Sequence, residues 1–334
     1  MDKPVVSIVG GDSVLGRELK DLIYTRKIKW TVKSLSSGDT VAAVPSKEKE
    51  DALEVLTPLD KESLAGSAIV LLAGTTDSSR KAWRLHAKLT KKPLLIDLTH
   101  TLEDKPQARL ADIAPDNYDP ELFYVAVHPA AAVLAGFLRT VQSQVPVEKT
   151  VVTIFEPASE RGERGVTEMQ QQTVGLLSFR KVPKDLYDAQ VSFTMLARYG
   201  AESPVSLADI ELRIDRHLAS LLARESGIPM PSLRLVQAPV FHGYSFSVWV
   251  QFAKSTSVKA LESALQLAGV DVRGADLEPP NNVGVAGQSG FAAGAIEADR
   301  NHPRAFWFWL AADNLHITAE TALAIAANLV EPKS

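Results

Sequence analysis

Residues 5–23, VVSIVGGDSVLGRELKDLI, contain the pattern that decides the fold. The first five are mostly β-branched, as in a buried strand, and Gly10-Gly11 follows them directly. From Val14 onward the apolar residues recur at helical spacing, which predicts an amphipathic helix that ends near Ile23. A strand, a glycine turn and a helix in this order are typical of an α/β domain.

The same alternation continues through the first 127 residues. Two almost wholly apolar runs, SAIVLLA at 67–73 and PLLIDL at 93–98, are typical of strands buried on both faces of a parallel sheet. We therefore expect an α/β fold whose first domain is a Rossmann-type, doubly wound nucleotide-binding domain. The other strands predicted here are 30–35 and 123–127, and the predicted helix between the apolar runs is 78–89.

The pattern changes after residue 128. Long alternating or aromatic runs at 233–240, 245–252 and 305–311 favour a mixed or antiparallel sheet. Helices between long strands predict a second domain of the α+β type. A stretch rich in glycine and alanine at 284–294 predicts a loop or a weak strand. The predicted helices are 130–141, 165–177, 208–223 and 317–329, and a shorter strand is predicted at 150–155.

The 334 residues carry a net charge of -4, and 46% of them are hydrophobic. This composition is typical of a globular protein with one large or two medium domains. A mildly acidic chain has no electrostatic reason to bind nucleic acid or an anionic membrane. The start of the chain lacks the apolar core of a secretory signal, and no apolar run reaches the ~20 residues of a membrane span. We therefore expect a cytoplasmic protein without nucleic-acid or membrane partners.

The chain contains no cysteine. Disulfides, thiolate metal sites and thiol nucleophiles are therefore excluded within it. Its seven histidines are scattered without the spacing of a metal-binding motif, so we expect no metal site.

Gly10, Ser13 and Gly16 have the spacing of a dinucleotide-binding turn, with Ser13 where the middle glycine is expected. Two interpretations stay open on the local sequence. Either the turn binds a pyrophosphate at the start of the helix, or it is the ordinary strand-to-helix turn of an α/β protein. In the first case the Ser13 hydroxyl either donates a hydrogen bond to the phosphate or crowds it.

Four segments, in order along nearly the whole chain, resemble the aspartate-semialdehyde dehydrogenase family. The first looks like the nucleotide-binding start of that family, and the second like the loop and helix after its catalytic helix. The third looks like the segment with the general base, and the fourth like the return to the last helix. The segments are VSIVGGDSVLGREL (6–19), EPASERGERGVTEMQQQT (156–173), QAPVFHGYSFSV (237–248) and WLAADNL (309–315).

This resemblance implies a Rossmann-like NAD(P)-binding domain at residues 1–128 and 315–334, and an α+β dimerisation and catalytic domain at residues 129–314. It also implies a homodimer, since the family pairs through the sheet of the second domain. The family reaction is the NAD(P)-dependent, phosphorylating oxidation of an aldehyde in amino-acid biosynthesis. In that reaction a cysteine thiolate attacks, a histidine acts as base, and an arginine and a glutamate bind the amino acid.

The family's nucleophile and base are both replaced in this chain. The catalytic helix of the family begins Asn-Pro-Asn-Cys, whereas HPAA at 128–131 places Ala131 at the cysteine position. A methyl group cannot act as a nucleophile. Tyr244 stands at the position of the general base, and a tyrosine with an ordinary pKa near ~10 is a poor base at neutral pH. His242 lies two residues earlier, on the same face if this segment is a strand, and is a candidate substitute.

The expected substrate contacts are also changed. Gln237 replaces the family's carboxylate-binding arginine and cannot reproduce its bidentate charged contact. Glu156 replaces a glutamine and adds a negative charge, which disfavours an anionic substrate. Glu103 stands at the position of a phosphate-binding arginine, a charge reversal that argues against phosphate as a co-substrate. Glu211 and Arg213 resemble the family's Glu-x-Lys pair, and the alternative interpretation is an exposed polar helix face.

If a dinucleotide binds, we expect it at the glycine turn and the ends of the neighbouring strands. The loop at 36–40, SSGDT, lacks an arginine for a 2′-phosphate, which favours NAD over NADP. The residues expected to contact the cofactor are Gly10, Ser13, Val14, Gly16, Ser36, Ser37, Gly74 and Asn314.

Two functions are compatible with these observations. The first is a degenerate homologue that keeps the fold and the dimer, has lost the phosphorylating dehydrogenase reaction, and binds a nucleotide or acts as a scaffold. The second is a non-covalent NAD(P)H-dependent carbonyl reductase in which Tyr244, His242 and Glu211 transfer protons. If side chains fill the space around Ala131, Gln237 and Tyr244, the second function is excluded, whereas an open pocket beside a bound nucleotide favours it.

Overall fold

A computed structural model describes residues 3–37, 43–45, 53–112, 119, 121–224 and 227–330. The chain divides into two compact units. The first comprises residues 1–127 and 318–334, and the second comprises residues 128–317. Residues 38–40 of the loop in which we expect a cofactor contact lie outside the described part.

The first unit is built on a six-stranded sheet with the strand order β2-β1-β5-β6-β8-β7, and every neighbouring pair is parallel. The predicted parallel, doubly wound sheet is therefore confirmed. Strands β3 and β4 form a separate antiparallel pair. The strands are β1 (Val5–Val9), β2 (Thr31–Leu35), β3 (Ala43–Pro45), β4 (Leu53–Val55), β5 (Ile69–Leu72), β6 (Leu94–Asp97), β7 (Ala108–Ala111) and β8 (Phe123–Ala126).

Both faces of this sheet are covered by apolar side chains. On one face, Ile8 of β1 belongs to a buried cluster with Leu19 and with Ala322 of the last helix. On the other face, Leu72 of β5 belongs to a second cluster with Ala82. Each large apolar side chain buried in this way contributes about 1.5–3 kcal/mol. Burial on both faces explains why the strands have unbroken apolar runs. The helices of this unit are α1 (Val14–Thr25), α2 (Lys61–Leu64) and α3 (Thr76–His86).

The second unit contains another six-stranded sheet, with the order β10-β9-β11-β14-β13-β12. Its outer pairs, β10 with β9 and β12 with β13, are parallel, and the central pairs are antiparallel. The predicted mixed sheet is therefore confirmed. The strands are β9 (Val147–Glu156), β10 (Ser232–Gln237), β11 (Tyr244–Phe252), β12 (Asp271–Arg273), β13 (Ala292–Ala298) and β14 (Ala305–Ala312).

Helix packing distinguishes the two faces of this second sheet. Side chains of β11 alternate between buried and half-buried along its whole length. Phe137 packs edge-on against Phe308 of β14, with the ring centroids 5.0 Å apart, so α4 covers the buried face. The helices of this unit are α4 (Pro129–Gln144), α5 (Gly162–Leu177), α6 (Leu207–Leu222) and α7 (Val258–Leu267), and a 3-10 helix spans Ala158–Arg161. The last helix, α8 (Asn314–Val330), begins in this unit and continues into the first.

One predicted strand ends earlier than expected. The run at 233–240 was expected to be strand throughout, but β10 ends at Gln237. Pro239 has no amide hydrogen to donate to a neighbouring strand, and Gly243 has a φ of 81°, which favours a turn. The chain therefore turns at residues 238–243 before β11 begins. Among the described residues, none of the helices has the length and apolar character to cross a membrane.

Candidate functional site

Ala131 lies in the first turn of α4. The helix starts at Pro129, and the Nδ1 atom of His128 caps it by accepting a hydrogen bond from the Ala130 amide at 3.3 Å. Proline is well suited to the first helical position because its missing amide hydrogen has no partner there. Ala131 is fully buried and offers only a methyl group. The helix start that should activate a nucleophile therefore has none.

His128 is a buried structural residue. Its backbone amide donates to Nδ1 of His217 at 3.0 Å, and its Nε2 atom lies 3.7 Å from Oε2 of Glu160. The imidazole therefore caps the helix with one nitrogen and faces a carboxyl group with the other. These contacts give this histidine a structural role.

Glu156 forms a buried ion pair that the sequence analysis missed. It is the last residue of β9, and its Oε1 atom lies 2.6 Å from Nη2 of Arg161, at the end of the 3-10 helix. The Glu156 side chain is fully buried, and 12% of the Arg161 side chain is exposed. The negative charge expected at Glu156 is thus compensated within the protein, which corrects the expectation of an added charge facing the substrate. The pairing can be suspected from the sequence only because both charges lie within the segment EPASER.

Glu160 is a second carboxyl group beside this pair. Asn314 donates to its Oε1 atom at 2.7 Å. Burial, with a further contribution from the charge of Glu156, raises the pKa of Glu160 to about 7. Glu160 therefore changes its protonation state near neutral pH.

Three buried tyrosines surround these charges. Tyr199 donates to Oε1 of Gln237 at 2.8 Å, and its ring packs edge-on against Tyr187 with the centroids 5.2 Å apart. Burial raises the pKa of each tyrosine above its ordinary value, and Arg161 acts on all three in the opposite direction. We call the set Glu156, Glu160, Arg161, Tyr187, Tyr199 and Tyr244 the ionic cluster.

The ionic cluster is not fully satisfied by hydrogen bonds. Among the described residues, three of its buried polar atoms have no partner of normal geometry: Oε2 of Glu156, Nε of Arg161 and the hydroxyl of Tyr187. The hydroxyl of Tyr244 faces the carboxyl group of Glu160. Unsatisfied buried polar atoms are costly and uncommon in folded proteins. Their concentration here distinguishes this cluster from its surroundings in the described part of the second unit.

Tyr244 and His242 do not form the predicted pair. Tyr244 begins β11 and is fully buried, while His242 lies in the turn before the strand and is exposed. The expectation that both face the same side of a strand is therefore wrong. Burial, with the charge of Glu160, raises the pKa of Tyr244 well above its ordinary value, so the phenol stays protonated at neutral pH. It is therefore unsuited to act as a general base.

Gln237 uses its side chain inside the protein. Its Nε2 atom donates to the carbonyl oxygens of Glu156 at 2.9 Å and Ala238 at 3.0 Å, and its Oε1 atom accepts from Tyr199. The side-chain amide of Gln237 therefore links the end of β10 to Glu156, Ala238 and Tyr199. Both of its donor hydrogens are engaged, so it cannot offer them to a substrate in this arrangement.

Neither Glu211 nor Arg213 lies on a fully exposed face of the helix. Oε2 of Glu211 accepts a hydrogen bond from the backbone amide of Leu235 at 2.6 Å, which supports the outer strand β10. Burial raises the pKa of Glu156, and the charges of Arg161 and of the half-buried Arg213 act against this rise. Glu211 therefore supports the edge of the sheet, and Arg213 contributes to the electrostatics of the ionic cluster.

The three positions expected to line a substrate pocket are buried. Ala131, Gln237 and Tyr244 are each 0% exposed. Tyr199 donates a hydrogen bond to Gln237, and the charges of Glu160, Glu156 and Arg161 act on Tyr244. This arrangement counts against a carbonyl reductase that uses these positions.

The glycine turn of the first unit is tightly packed. Gly10 has a φ of 85°, and a Cβ atom there would lie 2.3 Å from the Cα atom of Gly74. A Cβ atom at Gly16 would lie 2.0 Å from the carbonyl oxygen of Gly10. These positions require glycine because strand and helix approach closely, as in a dinucleotide-binding turn.

Ser13 points into the protein. Its hydroxyl accepts a hydrogen bond from the Gly16 amide at 2.8 Å and donates to the carbonyl oxygen of Ala73 at 2.7 Å. It therefore caps α1, which begins at Val14, and does not aim its proton at a phosphate. The helix start itself still favours an anion.

The two serines after β2 differ in their surroundings. Ser36 is buried, and its amide donates to the carbonyl oxygen of Thr57 at 2.9 Å. Ser37 is half-buried and is bound by Asp12. Ser37 is thus the more accessible of the two predicted contacts.

Asn314 connects two loops of the second unit. Its Oδ1 atom accepts from the Gly243 amide at 3.1 Å, and its Nδ2 atom donates to Oγ of Ser159 at 3.0 Å as well as to Glu160. The contact with a cofactor expected for this residue stays a prediction.

The loop after β6 is acidic. Asp97 is fully buried, and its carboxyl group accepts hydrogen bonds from the amides of Thr99 at 2.9 Å and Leu102 at 2.8 Å. Burial raises the pKa of Asp97, and the nearby charge of Glu103 adds to this rise. These acidic groups disfavour phosphate at this loop. Within the described ranges there is no group of three or more potential metal ligands.

Comparison with known proteins identifies relatives along the whole chain. Residues 138–317 match the family model described as semialdehyde dehydrogenase, dimerisation domain. A USG-1 protein homolog of Pseudomonas aeruginosa is 26% identical over 94% of each chain. An aspartate-semialdehyde dehydrogenase of Rickettsia bellii is 22% identical over 98% of this chain and 97% of its own. The solved structure of a probable aspartate-semialdehyde dehydrogenase from Pseudomonas aeruginosa superposes with a TM-score of 0.82, at 24% identity and 99% coverage of both chains.

Proposed function

Because the chain belongs to the semialdehyde dehydrogenase family, we propose that it is a homologue which no longer carries out the phosphorylating dehydrogenase reaction. The observation that carries this proposal is Ala131 at the start of α4, where the family has its cysteine. Removal of a catalytic nucleophile typically costs a factor on the order of 10⁴–10⁶ in rate. The burial of Gln237 and Tyr244 adds a second obstacle, since a substrate needs access to these positions.

The ionic cluster supports this proposal independently of the missing thiol. An active site must offer its polar groups to the substrate, whereas Nη2 of Arg161 and Oε1 of Glu156 pair with each other at 2.6 Å. Opening this pair for a ligand leaves a buried charge without a partner, which is strongly unfavourable. The charges at this site therefore serve the internal structure.

The Ala131→Cys variant tests whether the missing thiol is the sole defect. We expect this variant to give no measurable reduction of NAD or NADP with aspartate-β-semialdehyde and phosphate, because Tyr244 cannot act as base and the neighbouring positions are buried. A matched Ala132→Cys variant controls for adventitious thiol chemistry. Turnover in Ala131→Cys but not in Ala132→Cys contradicts the proposal that the surrounding site has been lost.

What remains for function is the nucleotide-binding turn and the second sheet. We propose that the first unit binds a nicotinamide dinucleotide, NAD in preference to NADP, with the pyrophosphate at the start of α1. The close approach of Gly10, Gly16 and Gly74 supports this proposal. We also propose that the chain forms a homodimer through the second sheet, so that it acts as a nucleotide-binding or scaffold protein.

A further inference from the structure

The strand order of the parallel sheet reverses around β1. The chain passes from β1 to β2 on one side and then to β5 on the other. Open parallel sheets bind ligands at the carboxyl ends of their strands at such a point. The strand ends are close together there, because a Cβ atom at Gly74 would lie 3.2 Å from the Cα atom of Gly10 and 3.3 Å from the Cβ atom of Ser37.

Asp12 lies in the glycine turn, and its side chain reaches the end of β2. Its Oδ1 atom accepts a hydrogen bond from the Ser37 amide at 3.3 Å, and its Oδ2 atom accepts from the Ser37 hydroxyl at 3.1 Å. In dinucleotide-binding domains an acidic residue near the end of the second strand binds the ribose hydroxyls. Asp12 brings a carboxylate to this place from a different segment of the chain.

A positive side chain is attached to the same turn. Arg17 donates from Nη1 to the carbonyl oxygen of Asp12 at 2.7 Å. An arginine near the ribose can instead accommodate a 2′-phosphate. Asp12 therefore favours NAD, and Arg17 favours NADP. The carboxylate of Asp12 is the group that is hydrogen-bonded to the end of β2.

We propose that Asp12 makes the nucleotide site selective for a dinucleotide with a free ribose 2′-hydroxyl. The hydroxyl donates a hydrogen bond to the carboxylate, whereas a 2′-phosphate brings a charge of about -1.5 to -2 against it. This inference rests on the proposed nucleotide binding and adds the residue that determines its specificity.

Calorimetric titration of the full chain with NAD and NADP tests this inference. We expect the wild-type protein to bind NAD at least about tenfold more tightly than NADP, because like charges discriminate against the phosphate. The Asp12→Asn variant keeps the shape of the side chain and removes its charge, so the preference for NAD should fall at least about tenfold. Adenosine 5′-monophosphate and adenosine 2′,5′-bisphosphate should show the same change, since they differ only at the ribose 2′-position.

A further variant tests whether a change of net charge alone alters the preference. Asp271→Asn makes the same change of net charge in the second unit and should leave the preference unchanged. Thermal unfolding of each variant verifies that it is folded.

The outcomes distinguish this inference from the proposed function. Equal binding of both nucleotides, tighter binding of NADP, or a preference that Asp12→Asn leaves intact overturns the role of Asp12 while nucleotide binding stands. Binding of neither nucleotide at millimolar concentration overturns the proposed nucleotide binding, and the inference fails with it.

Discussion

At the scale of single residues, Arg161 determines how the candidate site is organised. It compensates Glu156, lies close to Glu160 and acts on all three tyrosines of the ionic cluster. Burial alone would lower the pKa of Arg161, but the neighbouring carboxylates reverse this effect and hold it charged. When partners stabilise a buried charge, the contribution of each partner to stability depends on the others.

Arg161→Met should therefore destabilise the protein by about 3–5 kcal/mol, because it leaves Glu156 buried without its partner. The double variant Glu156→Gln/Arg161→Met should lose clearly less than the sum of the two single variants. Unfolding in urea measures both effects. Arg304→Met, which removes the more exposed pair with Glu148, is the control and should cost less than about 1 kcal/mol. Additive losses for the buried pair contradict this account.

Glu160 is expected to make the stability of the protein depend on pH. Because its pKa is raised from 4.5 to about 7, the folded state keeps its proton to a higher pH than the unfolded chain does. The stability that depends on the protonated carboxyl group of Glu160 is fully present below about pH 4.5 and is lost as the pH rises to about 7. Glu160→Gln cannot ionise, so at pH 8 it should be more stable than the wild type by up to about 3 kcal/mol, and near pH 4 the two should be similar.

Urea unfolding between pH 4 and pH 8 measures this difference for Glu160→Gln. Glu163→Gln, at an exposed position on α5, should run parallel to the wild type across the range. A gap between Glu160→Gln and the wild type that does not widen with pH argues against titration of Glu160 in the folded protein.

The replaced positions could be predicted from the sequence, whereas their surroundings could not. Ala131 and Tyr244 follow from the resemblance of short segments to a family. The ionic cluster depends on burial and on pairs such as Tyr199 with Gln237, which are 38 residues apart. The orientation of His242 depended on whether residues 238–243 form a strand or a turn, and local spacing does not decide that question.

At the scale of elements, the centres of the strands were predicted well because burial on both faces leaves an unbroken apolar run. The ends were less certain, since caps and turns depend on contacts with other segments. Strand β7 was missed because its sequence, ARLA, is short and partly polar. Helix α7 was also missed.

The glycine turn gives the prediction that belongs to this scale. Gly16→Ala should cost more than about 2 kcal/mol, because the new Cβ atom would lie 2.0 Å from the Gly10 carbonyl oxygen and α1 must shift. Gly136→Ala in α4 is the matched control. Its Cβ atom would meet Phe291 at 3.6 Å, an ordinary contact, so the variant should gain up to about 1 kcal/mol. Similar urea midpoints for both variants would contradict the close packing of the turn.

At the scale of the whole molecule, the outward face of the second sheet supports the proposed homodimer. Val151, Trp249 and Trp307 lie side by side on neighbouring strands. Val151 is 49% exposed and Trp307 is 44% exposed. The indole nitrogens of both tryptophans donate to Oδ2 of Asp299, at 2.9 Å and 3.0 Å, which fixes the rings in place. A rigid aromatic row of this kind is suited to an isologous interface.

Trp307→Glu should shift the protein from dimer toward monomer in sedimentation equilibrium, because two negative charges would meet across the interface. Leu267→Glu changes an exposed residue at the end of α7 and should leave the dimer intact. A wild-type protein that sediments as a monomer, or equal effects of both variants, would rule out pairing through this face.

The central claim is that the fold persists while the family reaction has been lost. The direct test is the rate at which the purified wild-type protein reduces NAD or NADP with aspartate-β-semialdehyde and phosphate, followed by nucleotide absorbance. We predict a rate no higher than that of a mixture without protein, because Ala131 cannot form the covalent intermediate. Sustained turnover that requires both phosphate and the aldehyde would contradict the account.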